Sequence, residues 1–204
     1  MKLEIREFQN RDQAQAIAFA IQGMHFDWYF DNGWMLRLYG RYFWYAEFTR
    51  ATQVLAAYEG DRLAGVLLCA VRGERPACRS VWKSCYTGLF RLAQRLFARG
   101  GAGVYDEANR QMLEHYLSTH APDGEILFLA ADPGRAGQGI GSFLLEELAR
   151  REKGKLVYLY TDEGCTYQFY EHRGFERSEE RDISLTIGKK TVDLRCFLYS
   201  KGLQ

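Results

Sequence analysis

The stretch "FLAADPGRAGQGIGSFLLEEL", Phe128 to Leu148, runs from an apolar segment through three alternate glycines into an amphipathic helix. A surface turn manages with one or two glycines, and glycine weakens a helix interior by about 1 kcal/mol relative to alanine. Gly137, Gly139 and Gly141 therefore mark a place where something comes close to the backbone. The first N–H groups of a helix lack internal acceptors and carry partial positive charge. Strand, glycine loop and helix start, in that order, make a cradle whose missing side chains leave space for a diphosphate. The plainer alternative is a turn that packs a helix on a strand. A P-loop would end in Gly-Lys-Ser/Thr and a dinucleotide loop would read G-x-G-x-x-G. This loop reads G-x-G-x-G, has no lysine, and lies late in the chain.

Patterns spread outward from the loop. Glu125 to Ala131 before it is an apolar strand, and Phe143, Leu144 and Leu148 after Ile140 follow a helical stripe. Glu146 with Arg150 and Glu147 with Arg151 are spaced for i,i+4 ion pairs. Leu156 to Tyr160 is another strand, followed by a short helix to His172 that stops at Gly174, with Phe175 placed to pack back. Alternation at Ile183, Leu185 and Ile187, and again from Val192 to Leu198, around Gly188-Lys189-Lys190, predicts a terminal hairpin. Upstream, Lys2 to Phe8 reads as a strand, Asp12 to Met24 as a helix, and a second helix starts near Trp34. Val54 to Tyr58 and Leu63 to Val71 form a hairpin about Glu59-Gly60-Asp61.

Between that hairpin and the Glu125 strand lies a basic stretch. Arg72, Arg75, Arg79, Lys83, Arg91, Arg95 and Arg99 stand against Glu74 alone. Leu89, Leu92, Leu96 and Phe97 have helical spacing, and a further helix is expected from about Tyr105 to Ser118. The stretch reads as a helical insertion over about 72–120.

The chain has 204 residues, 47% of them hydrophobic, enough for one domain over 1–204. A formal net charge of +1 gives no global pull toward nucleic acid or an anionic membrane, so neither is expected as a partner. With no bilayer-length apolar run and no h-region at the start, a cytoplasmic protein is expected. Five cysteines without CxxC spacing and four scattered histidines argue against a disulfide framework or a metal site.

Two motifs together carry a family resemblance. "DPGRAGQGIGSFLL" resembles the acetyl-CoA loop of the GCN5-related N-acetyltransferases (GNAT), whose pattern is Arg/Gln-x-x-Gly-x-Gly/Ala. "FYEHRGF", Phe169 to Phe175, resembles that family's following motif, an aromatic-Tyr helix ending in Gly-Phe. They occur in the family's order with a strand between them. One departure stands out: Ala136 occupies the Arg/Gln slot, with Arg135 one place earlier.

The resemblance implies an α/β fold, a mixed central sheet flanked by helices, with the helical insertion before the cofactor-binding strand. It implies acetyl transfer from acetyl-CoA to a primary amine of a small molecule or protein; a non-catalytic acyl-CoA-binding sensor or assembly module is the alternative. Leu129, Ala130 and Ala131 would offer the strand edge to the pantetheine arm. Arg135, Ala136, Gly137, Gln138, Gly139, Ile140, Gly141 and Ser142 would hold the diphosphate. Tyr170 would be the general acid for the departing thiolate, with ring packing as its other reading. Glu125 is the candidate base. Asp162 and Glu163 compete for that role, although Asp162 is expected to cap the following helix.

The acceptor side is less legible. His25, Phe26, Trp28, Tyr29, Phe30 and Trp34 either line a pocket or fill the core, and core packing is preferred. The basic stretch is a substrate-selecting lid if its Leu92–Leu96 face covers the acceptor cleft, and a docking surface if that face points away; the lid is preferred. Oligomeric state is not legible, and a homodimer stays open.

Overall fold

A computed structural model describes residues 2–28, 32–78, 80–97, 102–187 and 190–204. The alternating runs become the strands β1 (Glu4–Arg6), β2 (Gln53–Glu59), β3 (Arg62–Val71), β4 (Gly124–Ala131), β5 (Leu156–Asp162), β6 (Glu176–Ile187) and β7 (Lys190–Gly202). They form one sheet in the order β1-β2-β3-β4-β5-β7-β6. The helices are α1 (Gln13–Gly23), α2 (Gly33–Arg50), α3 (Val81–Phe97), α4 (Ala102–Leu117), α5 (Ile140–Arg151) and α6 (Gln168–Glu171). Every neighbouring pair of strands is antiparallel except β4 and β5. Those two are parallel because α5 carries the chain back across one face between them.

Helices cover both faces. The stripe expected from the sequence puts Ile140, Leu144 and Leu148 of α5 onto Leu55, Leu67, Val157, Leu159 and Tyr199. On the opposite face Phe19 of α1 and Trp44 and Phe48 of α2 pack on Tyr58, Val66, Leu68 and Phe128. That same face, at the β6–β7 end, receives Met112 and Tyr116 of α4 against Leu185, Leu194 and Leu198. Two helices, α3 and α4, therefore separate β3 from β4 in sequence, and α4 completes the core of the terminal hairpin. Of that hairpin's expected turn, Gly188 and Lys189 lie outside the described residues.

One irregularity shapes the site. Opposite β3, Leu68 pairs with Phe128 but Cys69 pairs with Ile126, so Leu127 is an extra residue in β4. Such a bulge bends its strand and resets the alternation of side chains. Ile126 and Leu129 face α5, while Phe128 and Ala130 face α1 and α2. Pairing of β4 with β5 is correspondingly short, limited to Gly124 with Val157 and Glu125 with Tyr158. Beyond that point the two parallel strands splay.

The ion pairs on α5 differ from the expected set. Glu147 takes both Arg150, at 2.8 Å, and Arg151, at 2.7 Å, and the expected Glu146–Arg150 pair does not form. Residues three apart on a helix are as close as residues four apart, so Arg150 is within reach of either carboxylate.

Candidate active site

The site begins at the end of β4. Asp132 stops the strand: its Oδ1 accepts from the Gly134 N–H at 3.0 Å and its Oδ2 from Arg62 at 2.7 Å. A single 3-10 turn over Pro133–Arg135 follows. The chain then passes through left-handed conformations at Gly137 (φ 78°) and Gly139 (φ 77°) before α5 starts at Ile140. Glycine alone takes such angles at no steric cost. A Cβ on either residue would meet nothing within 4 Å, so the space before this turn is open. No side chain caps α5, whose Ncap is Gly139 itself. Its first N–H groups therefore face that space with their dipole and without a protein acceptor from a capping residue.

Gly141 answers to a different neighbour. A Cβ there would lie 2.9 Å from the Phe169 ring of α6, so this glycine lets the next motif seat on the helix. Gly65 of β3 does the same from beneath: a Cβ on it would lie 2.7 Å from Ile140 and 3.0 Å from the Ala130 carbonyl. Nothing in the local pattern around Gly65 points to this role, because the contact joins residues 75 apart in sequence. Ser142 is engaged as well. Its hydroxyl accepts from Arg173 Nε at 2.8 Å and Nη2 at 2.5 Å, and that guanidinium lies over the Phe169 ring. The two motifs seen in sequence are thus held against each other in space.

Beside the loop, Leu129, Ala130 and Ala131 pair through one edge with Leu67, Val66 and Gly65 of β3. The other edge faces the splay, where alternate backbone groups have no strand partner. Arg135, one of the expected phosphate contacts, is ion-paired with Glu59 of β2. Ala136, Gly137, Gln138 and Gly139 are exposed, and Ile140 is buried as the first core residue of α5.

Tyr170 sits on α6, half-buried. Its ring meets Phe169 and Phe175 edge-on at 5.3 and 5.6 Å and stacks on Tyr199 at 6.4 Å. Gly174 (φ 73°) ends the helix as its position predicts, and the Phe175 N–H returns to the Tyr170 carbonyl at 3.1 Å. Burial pushes the phenol well above the usual tyrosine range, so it stays a donor at any physiological pH. Burial also pushes the thiols of Cys69, Cys165 and Cys196 up to about 12, which leaves none of them a thiolate near neutrality.

The carboxylates are distributed as follows. Glu125 lies at the throat of the splay, on the face opposite α5. It accepts from Arg50 of α2 at 2.7 Å and from the Tyr158 hydroxyl at 3.4 Å. Tyr160 stands edge-on to Tyr158, and burial raises both phenols. Asp162 does not cap α6, whose Ncap position is Tyr167. Its Oδ1 instead accepts from the N–H groups of Gly164 and Cys165, closing the turn after β5. Its Oδ2 accepts from Tyr105 of α4 at 3.1 Å. The helix starts five residues later than a cap at Asp162 would require. Glu163 accepts from the Arg195 N–H at 3.0 Å.

The acceptor segment divides. Phe26 is core, packed edge-on against Tyr39 and Phe43 at 4.9 and 5.2 Å, while Trp34 is exposed. Tyr29, Phe30 and the Trp28 side chain lie outside the described residues. So do Arg79, Arg99 and the side chains of Arg91, Arg95, Leu96 and Phe97. Leu89 and Leu92 face solvent. A cavity of about 180 Å³ beside the throat is lined by Arg72, Asp123, Glu125 and Tyr158 among others. A larger one, about 480 Å³, lies away from the glycine loop, between the end of α2 and the start of α3. Among the described residues, no group of three His, Cys, Asp or Glu side chains could hold a metal ion.

Comparison with known proteins bears on this arrangement. Residues 98–177 match the acetyltransferase (GNAT) domain family. The fold is similar to a histone acetyltransferase HPA2 and related acetyltransferase from Corynebacterium glutamicum, at 13% identity and TM-score 0.58, over 100% of this chain and 98% of that one. It is similar to the PaiA N-acetyltransferase of Thermoplasma acidophilum in complex with coenzyme A, at 18% identity and TM-score 0.54, over 99% of both chains. It is similar to the ribosomal-protein-S18-alanine N-acetyltransferase of Escherichia coli, at 12% identity and TM-score 0.53, over 100% and 95%. At these identities the likeness speaks for the fold. No curated protein matches the sequence. The family match spans the bulged strand, the glycine loop and the helix docked on it, and the shared fold runs the length of the chain. Residues 98–177 thus match the acetyltransferase (GNAT) domain family, within a fold that the whole chain shares with acetyltransferase structures.

Proposed function

We propose that the chain is an N-acetyltransferase, a single domain over 1–204, that moves an acetyl group from acetyl-CoA to a primary amine. One observation carries the reading. The uncapped start of α5, with open space before Gly137 and Gly139, adjoins the unpaired edge of β4 at Leu129–Ala131. The first supplies donors for a diphosphate, and the second supplies a strand edge for an extended amide-bearing arm. Acetyl-CoA has both parts, and the described residues leave room for them. The complex of the PaiA relative with coenzyme A supports the same choice.

The chemistry then falls to side chains around the splay. A neutral amine attacks the thioester carbon, the carbonyl oxygen gains charge, and the C–S bond breaks as the thiolate takes a proton. Tyr170 is the proposed donor of that proton, since burial keeps it protonated. A β4 N–H near Leu129 is the proposed donor to the carbonyl oxygen. Glu125 is the proposed proton acceptor, held in one orientation at the throat by Arg50 and Tyr158.

The test is incubation with acetyl-CoA and a panel of small amines and peptide N-termini, with mass detection. The reading expects an acetylated amine and free CoA in equal amounts. Tight CoA binding with no product from any amine would favour a non-catalytic acyl-CoA-binding module instead.

A further inference from the structure

The glycine loop lacks an uncommitted cation of its own. Arg62 and Arg135 flank it, and each is tied to an acid, Arg62 to Asp132 at 2.7 Å and Arg135 to Glu59. Ala136 stands where the family pattern has arginine or glutamine, and its methyl group can hold no anion. The N–H groups at the start of α5 offer a diphosphate only partial positive charge. A full charge has to come from elsewhere in the chain.

Arg173 is in position to provide it. It follows α6, 31 residues beyond Ser142, yet its guanidinium reaches back to the first turn of α5, where Nε and Nη2 donate to the Ser142 hydroxyl at 2.8 and 2.5 Å. The Phe169 ring supports it at 5.1 Å. Both partners are neutral, and among the described residues no carboxylate pairs with Arg173. Its Nη1 donors are left uncommitted there. The backbone beneath is fixed as well: the Arg173 N–H donates to the Tyr170 carbonyl at 3.0 Å, and the Arg173 carbonyl accepts from Lys201. A guanidinium held this firmly loses little side-chain freedom when it takes up an anion.

The place it is held decides which anion. The ladder of α5 begins with the Phe143 N–H on the Gly139 carbonyl at 3.0 Å, so the N–H groups of Ile140, Gly141 and Ser142 precede it without intrahelical acceptors. Arg173 is thus anchored on the same turn whose donors face the open space before Gly137 and Gly139. We propose that Arg173 supplies the cation of the diphosphate site, in place of the side chain missing at Ala136. The inference rests on the acyl-CoA reading of the loop and adds a binding residue from the second motif to it.

Calorimetry tests it with CoA and with dephospho-CoA, which keeps the diphosphate and lacks the ribose phosphate. The proteins are the wild type, Arg173→Gln and Arg173→Lys, at low salt and at about 0.5 M salt. Arg173 is exposed, and circular dichroism checks that the variants are folded. At low salt Arg173→Gln should weaken both ligands by about tenfold, the scale of one charge-assisted hydrogen bond. That loss should shrink at high salt, where screening weakens the charge contact, and Arg173→Lys should recover part of it. Wild-type affinity in Arg173→Gln overturns the proposal. So does a loss confined to CoA, which would put Arg173 on the ribose phosphate. So does a loss that neither salt nor lysine alters, which would make Arg173 a brace between the two motifs. A wild type that binds neither ligand overturns the acyl-CoA reading itself, and this proposal with it.

Discussion

Helices α5 and α3 are both amphipathic, and the chain treats them in opposite ways. α5 lays its apolar stripe on the sheet and leaves its polar N-terminus open. α3 settles against α2 through an aromatic seam and leaves an apolar stripe in water. An unmet hydrogen-bonding capacity invites a polar ligand, whereas unmet apolar area invites a large, non-directional surface. The same helical periodicity thus leads to two kinds of recognition, depending on what the fold leaves unsatisfied.

The largest expected effect belongs to the α5 side. Tyr170→Phe keeps the ring among Phe169, Phe175 and Tyr199 and removes the hydroxyl alone. Turnover at saturating substrates should fall by about 10²–10⁴-fold. A rate within a few-fold of wild type would leave Tyr170 as a packing residue.

Next is a stability contrast. Leu144→Ala removes a fully buried side chain and should cost about 2–5 kcal/mol, whereas Leu89→Ala on α3 should stay within about 0.5 kcal/mol. Urea unfolding of the two variants measures this. Equal costs would mean that α3 is covered within the chain, and the comparison would fail.

Gly139→Val forces a branched residue into a left-handed conformation at the mouth of α5. Calorimetry should show CoA affinity weakened by about 10–100-fold, the equivalent of one charge-assisted hydrogen bond. Circular dichroism should report a folded protein. Affinity unchanged in that folded variant would remove the loop from the site.

The smallest effect is one of pH. Because burial raises the Tyr170 phenol, its protonated, donating form is lost only above the ordinary tyrosine value of about 10. The rate should rise as the acceptor amine loses its proton and show no falling limb between pH 7 and 9.5. A descending limb near pH 8 would assign the acid to another group.

What could be read from the sequence follows the same division. Gly137 and Gly139, the α5 stripe and the Gly174 stop are local signals, each set by backbone conformation or by a 3.6-residue period. The helical spacing of α3 was equally plain, but which of its faces the fold would cover depends on α2, some forty residues away. The Leu127 bulge left no mark in an apolar run, because it shows only in the register against β3. Asp162 looked like a helix cap because Asp favours both caps and turns, and the turn after β5 took it. Gly141 stood in line with its two neighbours, yet its reason lies in Phe169, which no local pattern could name.

Amide hydrogen exchange with and without CoA bears on the two helices at once. If acyl-CoA occupies the mouth of α5 and the open edge of β4, exchange should slow at Leu129–Ala131 and Gly137–Phe143 while Val81–Leu92 of α3 stays unchanged. CoA binding that leaves both of the first segments exchanging as before, or that protects α3 instead, would contradict the assignment of the glycine loop.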